Sequence, residues 1–342
     1  MYDKPIAIVY NTNSGKKIDL RPMIEHRLDA EKIPFEIFST EKRFDTFNIP
    51  RAIVIDDYSL IVAAGGDGSY HEVVNGMLAR DDKKKLPIGL IPNGSGNDLC
   101  TSLGIRDLDS ALDYIVNREV TKIDTCQVLI DHEDESSLPE DAEERFEVCR
   151  HMLICASFSF PANVSNKATP FKGCCGKASY TIATLLEAIK CNVRPDRFDI
   201  TIDGQKHPMS SIFLMLFNNK STGAGMILNP FPVMNDGMID VSWLHAEDKQ
   251  GVLGIADILD KAKKEGGIHT YEDVFTHIRG SSVKIEFTGS ERAMPEGGFG
   301  EQVTQIDGED LRFKKFVNYQ CHPGNVEYLF DSEAYFKNPT MD

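Results

Sequence analysis

Four short apolar runs in the first third of the chain, each followed by a polar or glycine-rich turn, constrain the fold most strongly. The runs have the length and composition of strands: PIAIVY (5–10), FEIFST (35–40), SLIVAAGG (59–66) and LPIGLIP (86–92). Segments with apolar residues at helical spacing lie between or after them, at 18–33, 69–80, 95–105 and 108–117. This alternation predicts a doubly wound parallel sheet with right-handed crossovers.

Beyond residue 120 the pattern becomes mainly that of strands. Strand-like runs occur at 119–130, 146–160, 197–204, 209–219, 238–245 and 281–289, with helix-like intervals at 177–191 and 249–265. We expect the acidic stretch 131–144 to form a solvated loop and 293–302 to form another exposed loop. The sequence therefore predicts a two-domain α/β protein. A parallel-sheet domain spans 1–122, with 312–342 returning to it, and a mainly antiparallel, β-sandwich-like domain spans 123–311.

The composition excludes several classes of protein. The 342 residues carry a formal net charge of −16, which argues against broad nucleic-acid binding and against simple electrostatic adhesion to anionic membranes. No apolar run reaches the 18 residues expected of a membrane span, and the N-terminal residues lack the pattern of a signal peptide. The eight cysteines include no CxxC pair, so we expect buried, reduced thiols in a cytoplasmic protein.

The turns that follow the four predicted strands are candidates for one binding site. They read NTNSGKK (11–17), STEKR (39–43), GGDG (65–68) and PNGSGND (92–98). Parallel sheets present ligands at the carboxyl ends of their strands, so the four turns should converge on one edge. Glycine lets the backbone approach a phosphate, and the N–H groups at a helix N-terminus attract its charge. The pattern predicts a polyphosphate site.

Asp67 is the acidic member of this set. A carboxylate beside phosphate repels it unless a cation or a proton mediates. Asp67 would therefore hold Mg²⁺ or accept a proton from an attacking hydroxyl. NTNSGKK lacks the spacing of a Walker A loop, and the first turn lacks GxGxxG. A single GGDG segment is common in turns that bind nothing. Four polar or glycine-rich turns at the ends of neighbouring parallel strands indicate a binding site instead.

Two segments resemble the hallmark motifs of the diacylglycerol kinase catalytic-domain family. They are GGDGSYHEVVNGM (65–77) and LPIGLIPNGSGNDL (86–99). NTNSGKK resembles that family's N-P-x-S-G-K start, with Thr12 in place of proline. STGAGMILNPFPVMNDGMIDV (221–241) and IDGE (306–309) resemble its later segments, so the resemblance is colinear over nearly the whole chain.

Within this family, several short segments look most like sphingosine kinases. These are HEVVNG (71–76), GSGN (94–97), YQCHPGN (319–325) and TEKR (40–43). The pair Asn97-Asp98 resembles diacylglycerol kinases instead. The resemblance implies an ATP- and Mg²⁺-dependent kinase that transfers the γ-phosphoryl group to a lipid hydroxyl. Sphingosine or a related sphingoid base is the first expectation, and diacylglycerol is the alternative.

The resemblance also implies roles for individual residues. Asp67 is expected to be the essential acid and the Mg²⁺ ligand, with Glu309 as the rival catalytic base. The residues expected to bind the nucleotide are Asn11, Thr12, Asn13, Ser14, Gly15, Thr40, Arg43, Gly66, Gly68, Glu72, Gly94, Ser95, Gly96, Asp307 and Gly308. The residues expected at the lipid substrate are Gly65, Asn97, Asp98, Asn163, Ser165, Lys172 and Lys177. The lysines stand where sphingosine kinases carry arginines, and PANVS (161–165) offers no carboxylate for an amino-alcohol.

Two other functions are compatible with the same residues. One is an enzyme similar to NAD kinases, which also use a GGDG loop on a soluble substrate. The other is a non-catalytic protein that binds a nucleotide or a lipid. For the kinase we expect a membrane lipid as partner, transient peripheral contact with membranes and no nucleic acid. A homodimer is compatible with the sequence.

Overall fold

A computed structural model describes residues 2–14, 19–163, 195–223, 226–229, 233–244, 275–290, 300–332 and 335. The chain forms two compact units. The first unit comprises Met1–Ile123 and Gly324–Pro339, and the second comprises Asp124–Pro323 with Thr340–Asp342. The sequence places the return to the first unit at 312, whereas residues 312–323 group with the second unit.

The first unit contains a parallel sheet with the strand order β2-β1-β3-β4-β18. The strands are β1 (Ile6–Tyr10), β2 (Phe35–Ser39), β3 (Leu60–Gly65), β4 (Ile88–Pro92) and the end of β18 (Phe316–Leu329). Its helices are α1 (Arg21–Ala30), α2 (Asp45–Ala52), α3 (Asp67–Leu78), α4 (Asp98–Ser102) and α5 (Leu108–Asn117). Strands β1 and β3 are buried at every position, as expected for continuous apolar runs in a parallel sheet.

Local chemistry explains where several of these helices begin. Pro22 lies at the start of α1, where its missing N–H costs nothing. Asp107 and Ser110 form a capping box at the start of α5. Helix α2 is not indicated by the sequence pattern: it contains Pro50 and follows Phe44, which has a positive φ of 66°. The approach of α2 to α3 requires Gly76, where a Cβ would lie 2.1 Å from the Phe47 carbonyl oxygen.

The second unit consists mainly of antiparallel strands. They are β5 (Val120–Ile130), β6 (Cys149–Met152), β7 (Cys155–Ser159), β8 (Asp196–Ile202), β9 (Gln205–Ser211), β10 (Phe213–Phe217), β11 (Ser221–Thr222), β12 (Met226–Ile227), β13 (Ile239–Leu244), β14 (Phe275–Gly280), β15 (Ser282–Ser290), β16 (Gln302–Ile306), β17 (Glu309–Phe313) and the start of β18. One sheet has the order β14-β13-β10-β7-β16-β17. In the other, the start of β18 pairs with β15, β15 with β8, and β8 with β9.

The two sheets of the second unit share one core. Alternate residues of β13, Ile239, Val241 and Trp243, belong to the same buried cluster as Ile200 and Ile202 of β8. Side chains from the inner faces of both sheets thus form one layer, as in a β-sandwich. The predicted fold, a parallel α/β domain followed by an antiparallel sandwich-like domain, is confirmed.

The acidic stretch 131–144 is more ordered than expected. A 3₁₀ turn spans Glu135–Ser137, and helix α6 (Ala142–Val148) begins inside the stretch. The Asp141 carboxylate accepts hydrogen bonds from the Glu143 and Glu144 N–H groups, which caps this helix. The helices expected at 177–191 and 249–265, and most of the loop at 293–302, lie outside the described residues.

The described part of the chain can be compared with two expectations from the sequence: buried, reduced cysteines and no membrane-spanning segment. Cys100, Cys126, Cys155 and Cys321 are buried, and none of the described cysteines forms a disulfide. None of the helices described by the structure combines the length and the apolar character that crossing a bilayer requires.

Candidate functional site

The four turns identified in the sequence, of which the first is described at residues 11–14, lie at one edge of the parallel sheet. Strand register sets this arrangement: Tyr10 pairs with Ser39 on one side and with Ala64 on the other, and Gly65 pairs with Pro92. Strand β1 lies between β2 and β3, so the strand order reverses between β1 and β3. Ligands of open α/β sheets bind in the crevice at such a switch point.

Asn11 connects the first and third turns, which flank the switch point, through hydrogen bonds. Its backbone N–H donates to the Ala64 carbonyl at 3.0 Å, and its Nδ2 donates to Ser69 Oγ on α3 at 2.8 Å. Its Oδ1 accepts the Asn13 N–H at 2.9 Å, and its carbonyl accepts from the Ser14 backbone and hydroxyl. This side chain therefore shapes the first turn, while Asn13 itself is exposed.

The first and second turns are joined by a pair of threonines. Thr12 Oγ1 donates to the Thr40 carbonyl at 2.8 Å, and the Thr12 N–H donates to Thr40 Oγ1 at 3.3 Å. Arg43 is exposed, and its guanidinium lies 4.3 Å from the centre of the Phe44 ring. The exposed groups of this turn thus include a cation near the edge of the sheet.

The glycines of the third and fourth turns make room for protein atoms. A Cβ on Gly65 would lie 2.3 Å from Ser69 Oγ, so this glycine accommodates the Ser69 side chain. A Cβ on Gly94 would lie 2.5 Å from Gly66 Cα, so the two turns pack backbone against backbone. From the sequence, these glycines are expected to allow the approach of a phosphate. In the structure Gly65 and Gly94 already make room for protein atoms, independently of any ligand.

The fourth turn is closed by Asn97. Its Oδ1 accepts the Gly94 N–H and its Nδ2 donates to the Gly94 carbonyl, both at 2.9 Å. Asn97 has a positive φ of 57°, a conformation that asparagine tolerates better than most residues. Asp98 follows as the buried first residue of α4, whereas Ser95 at the tip is exposed and Gly96 is half-buried.

Asp67 is the first residue of α3 and is half-buried. Its Oδ1 accepts the backbone N–H of Leu99 on α4 at 3.1 Å, so the carboxylate joins the GGDG turn to the helix after GSGN. Gly68 is the second residue of α3, and Glu72 lies half-buried among otherwise buried neighbours on the same helix.

Tyr70 lies beneath both glycine-rich turns. It is fully buried, and its hydroxyl lies 2.8 Å from the Gly65 carbonyl oxygen and 3.1 Å from that of Ile91, at the ends of β3 and β4. The Cys100 thiol donates to the same hydroxyl at 3.3 Å. Burial raises the pKa of Tyr70 well above its ordinary value, and burial also raises the pKa of Cys100.

The residues predicted for the site in the second unit lie on a β-hairpin. Asp307 and Gly308 form its two-residue turn, and both have positive φ, 49° and 94°, as a type I′ turn requires. The Asp307 carboxylate accepts the N–H groups of Leu153, Ile154 and Cys155 at 2.7, 2.8 and 3.0 Å. Asp307 therefore has a structural role within its own unit, and its nucleotide contact stays a prediction.

The remaining predicted residues divide into two groups. Glu309 is exposed at the start of β17, and Asn163 is half-buried. Gly15, Ser165, Lys172 and Lys177 lie outside the described residues. The structure thus places the described parts of the four predicted turns at one edge of the sheet. The roles of their residues, like those of Glu309 and Asn163, stay predictions.

Four residues that shape the site are not indicated by the sequence pattern. Ser69, Tyr70, Leu99 and Cys100 lie within or beside the motifs, but nothing in their spacing distinguishes them from core positions. Their contacts depend on how α3 and α4 meet, which single-sequence patterns do not encode.

The donor set near Asp67 suits a cation held jointly with a ligand. No group of three or more His, Cys, Asp or Glu side chains forms a metal site among the described residues. Mg²⁺ in phosphoryl-transfer sites is commonly held by one or two carboxylates together with substrate phosphates. One carboxylate at the edge of the sheet fits that mode of binding.

Each of the two units is matched by a model of a known protein family. A family model described as the diacylglycerol kinase catalytic domain matches residues 5–128. A second model, the YegS C-terminal NAD kinase beta sandwich-like domain, matches residues 155–329. Together the two models cover most of the described residues of both units.

Curated relatives match the first unit. A diacylglycerol kinase of Staphylococcus epidermidis is 38% identical over 125 residues, and one of Staphylococcus aureus is 36% identical over 124. Each alignment covers 35% of this chain and 39% of the relative, so the chain matches about two fifths of those proteins' length.

Solved structures resemble the chain over nearly its full length. A crystal structure described as a diacylglycerol kinase from Bacillus anthracis has a TM-score of 0.66 at 17% identity, covering 97% of this chain and 98% of that one. A second structure from the same organism has a TM-score of 0.71 at 20% identity with the same coverage. At such identities the likeness shows the fold. The two family models and the colinear motifs show that the chain belongs to the family defined by the diacylglycerol kinase catalytic domain and the YegS-type C-terminal sandwich.

Proposed function

We propose that the protein is an ATP-dependent lipid kinase that transfers the γ-phosphoryl group to a lipid hydroxyl. One observation carries the proposal. The GGDG and GSGN turns pack backbone against backbone at the switch point of a parallel sheet, and Asp67 is oriented between them. The family models and the relatives named diacylglycerol kinases support the same class of reaction.

The proposed mechanism uses positioning more than covalent chemistry. Phosphoryl transfer is accelerated mainly by holding the donor and the hydroxyl in line while charge is spread over fixed dipoles. Exposed groups of Thr12, Asn13, Arg43 and Ser95 would contact the nucleotide. The Leu99 N–H fixes one oxygen of the Asp67 carboxylate, which keeps the group oriented to accept the proton of the lipid alcohol.

Asp67 would also hold Mg²⁺ together with the nucleotide phosphates. The ion would neutralise charge on the transferred phosphoryl group. A base and a metal ligand predict different outcomes for replacement of Asp67, because a metal ligand shifts the dependence on Mg²⁺ whereas a base lowers the maximal rate.

Diacylglycerol is the substrate that we propose first. The matching curated relatives carry the name diacylglycerol kinase, and the Asn97-Asp98 pair has the form usual in those enzymes. A sphingoid base, which the short motifs 71–76 and 319–325 favour, is the second candidate. NAD⁺ is a third, because the C-terminal family model is described as NAD kinase-like. A membrane lipid substrate implies transient contact with a membrane surface.

The decisive experiment is transfer of radiolabel from ATP that is labelled at its γ-phosphate. Diacylglycerol, sphingosine, ceramide and monoacylglycerol are each presented in mixed micelles with Mg²⁺, and NAD⁺ is tested in solution. We expect labelled phosphatidic acid. Labelled NADP⁺ without labelled lipid would replace the proposal with the NAD kinase alternative. Nucleotide binding without transfer to any acceptor would indicate a non-catalytic protein.

Asp67→Asn tests the assignment of the acid. The substitution keeps the side-chain volume, and we expect the rate to fall by roughly 10²-fold or more if Asp67 is the base. Asp109→Asn is the matched control, because Asp109 lies in the first turn of α5 as Asp67 does in α3 and is exposed. Near-normal turnover of purified Asp67→Asn would refute the assignment.

A further inference from the structure

Tyr70 and Cys100 form a hydrogen-bonded pair beneath the site, and neither is assigned a role by the proposed mechanism. We propose that these two residues are a positioning pair that holds the GGDG turn against β4 and α4, so that Asp67 keeps its orientation toward the substrate alcohol. The inference rests on the proposed kinase function and names the groups that keep its acid in place.

The Tyr70 hydroxyl ties together the two strand ends that carry the glycine-rich turns. Its single proton is shared between the carbonyl oxygens of Gly65 and Ile91, at 2.8 and 3.1 Å. The Gly65 carbonyl also accepts the Asn93 N–H at 2.7 Å, so two donors anchor the end of β3: the Tyr70 hydroxyl of α3 and the amide that follows β4. Loss of the phenol oxygen would leave this junction with fewer donors than buried acceptors.

The Cys100 thiol extends the junction to α4. It donates to Tyr70 Oη at 3.3 Å, while the N–H of the preceding residue, Leu99, donates to Asp67 Oδ1 at 3.1 Å. Residues 67 and 70 lie on neighbouring turns of α3, and residues 99 and 100 are adjacent on α4. Two parallel hydrogen bonds therefore fix how the two helices face each other, and one of them ends on the proposed catalytic carboxylate.

Both groups remain donors at neutral pH. Burial, and to a smaller extent the nearby Asp67 charge, raises the pKa of both the Tyr70 phenol and the Cys100 thiol. A protonated phenol can accept from the thiol and donate to the carbonyls at the same time. The junction is thus complete across the physiological pH range.

The conservative variant Cys100→Ser distinguishes the effect of the hydrogen bond to Tyr70 from the effect of side-chain packing. Serine keeps a donor at this position, whereas Cys100→Ala and Tyr70→Phe remove the thiol and the phenol oxygen. Two matched controls exist in the chain. Cys126→Ala empties a similar fully buried site in the second unit, and Tyr2→Phe removes a buried phenol–carbonyl bond to Ile115 in the first unit.

The kinetic test compares kcat with KM in these variants. We expect Cys100→Ala and Tyr70→Phe to lower kcat by about 5- to 10-fold, since small displacements of a catalytic group are costly. KM for ATP and for the lipid should stay within about twofold, because the binding surfaces are unchanged. Cys100→Ser should recover most of the lost kcat, and both controls should retain it. Equal loss in Cys100→Ser and Cys100→Ala, or in either control, would overturn the inference.

Hydrogen exchange of the Leu99 amide tests the same inference without turnover. We expect Cys100→Ala and Tyr70→Phe to speed this exchange by about fivefold, the effect of losing one buried hydrogen bond, with little change in Cys100→Ser. An unchanged Leu99 rate in both donor-removing variants would overturn the positioning role. If the unsubstituted protein phosphorylates no lipid, the kinase proposal fails, and the exchange result still decides whether the pair fixes the Asp67–Leu99 contact.

Discussion

Replacement of Asp307 by asparagine should destabilise the second unit strongly. The carboxylate is 5% exposed and accepts three backbone N–H groups: Oδ2 accepts from Leu153, and Oδ1 accepts from Ile154 and Cys155. Asparagine tolerates the positive φ of 49° at this position, so the substitution alters the hydrogen bonds and leaves the turn geometry unstrained.

The size of the effect follows from the geometry of the amide. The new asparagine side chain would keep one oxygen for two of the donors, and its NH₂ group would face the third donor. A hydrogen bond to a charged group contributes about 1.5–3 kcal/mol, and a buried donor without an acceptor adds a further penalty. We expect the free energy of unfolding to fall by about 2–4 kcal/mol, a large fraction of the stability of an ordinary domain.

The chain contains one tryptophan that reports on the affected unit. Trp243 lies in the shared core of the second unit, so its fluorescence during urea denaturation follows unfolding of that unit. Glu309→Gln is the matched control, because Glu309 is exposed two residues later on the same hairpin, and its free energy of unfolding should change by less than about 0.5 kcal/mol. An Asp307→Asn midpoint equal to that of the unsubstituted protein would refute the reasoning. A loss of activity at unchanged stability would instead support a nucleotide contact.

Three further predictions concern the first unit. Gly76→Ala should lower its stability by about 1–3 kcal/mol, because the added Cβ would lie 2.1 Å from the Phe47 carbonyl oxygen; an unshifted thermal midpoint would contradict this packing. Gly94→Ala should abolish nucleotide binding measured by calorimetry, since its Cβ would displace the facing GGDG turn, and retained affinity would show that the turns can separate. The Arg80 guanidinium lowers the pKa of Asp82 from 3.8 to about 2. This pair therefore stabilises the fold above pH 4, and its contribution is lost as the pH falls toward 2. In urea titrations between about pH 4 and 2, the stability of Asp82→Asn should fall less than that of the unsubstituted protein.

The sequence predicts the first unit well because its signals are local. Buried strands, turns at their ends and amphipathic helices all follow from patterns within about 5 to 15 residues. Convergence of the turns at one edge follows from the rule for parallel sheets, and the structure shows the same convergence.

The contacts that arise between elements are the ones the sequence does not predict. Gly66 and Gly94 are glycines because they face each other, and this depends on the register of β3 with β4. Asp307 reads as part of a binding motif, yet its carboxylate is held by amides more than 150 positions earlier in the chain. Helix α6 could have been found, because Asp141 followed by Glu143 and Glu144 is a local helix-start signal.

The first unit is discontinuous in the chain, and this affects how it is made. Its strand order includes β18, whose Tyr328 pairs with Ile88 of β4. During synthesis the first 123 residues leave the ribosome long before their fifth strand exists. The side of β4 that β18 covers therefore stays unpaired, exposed or shielded by a chaperone, until Tyr328 has been translated.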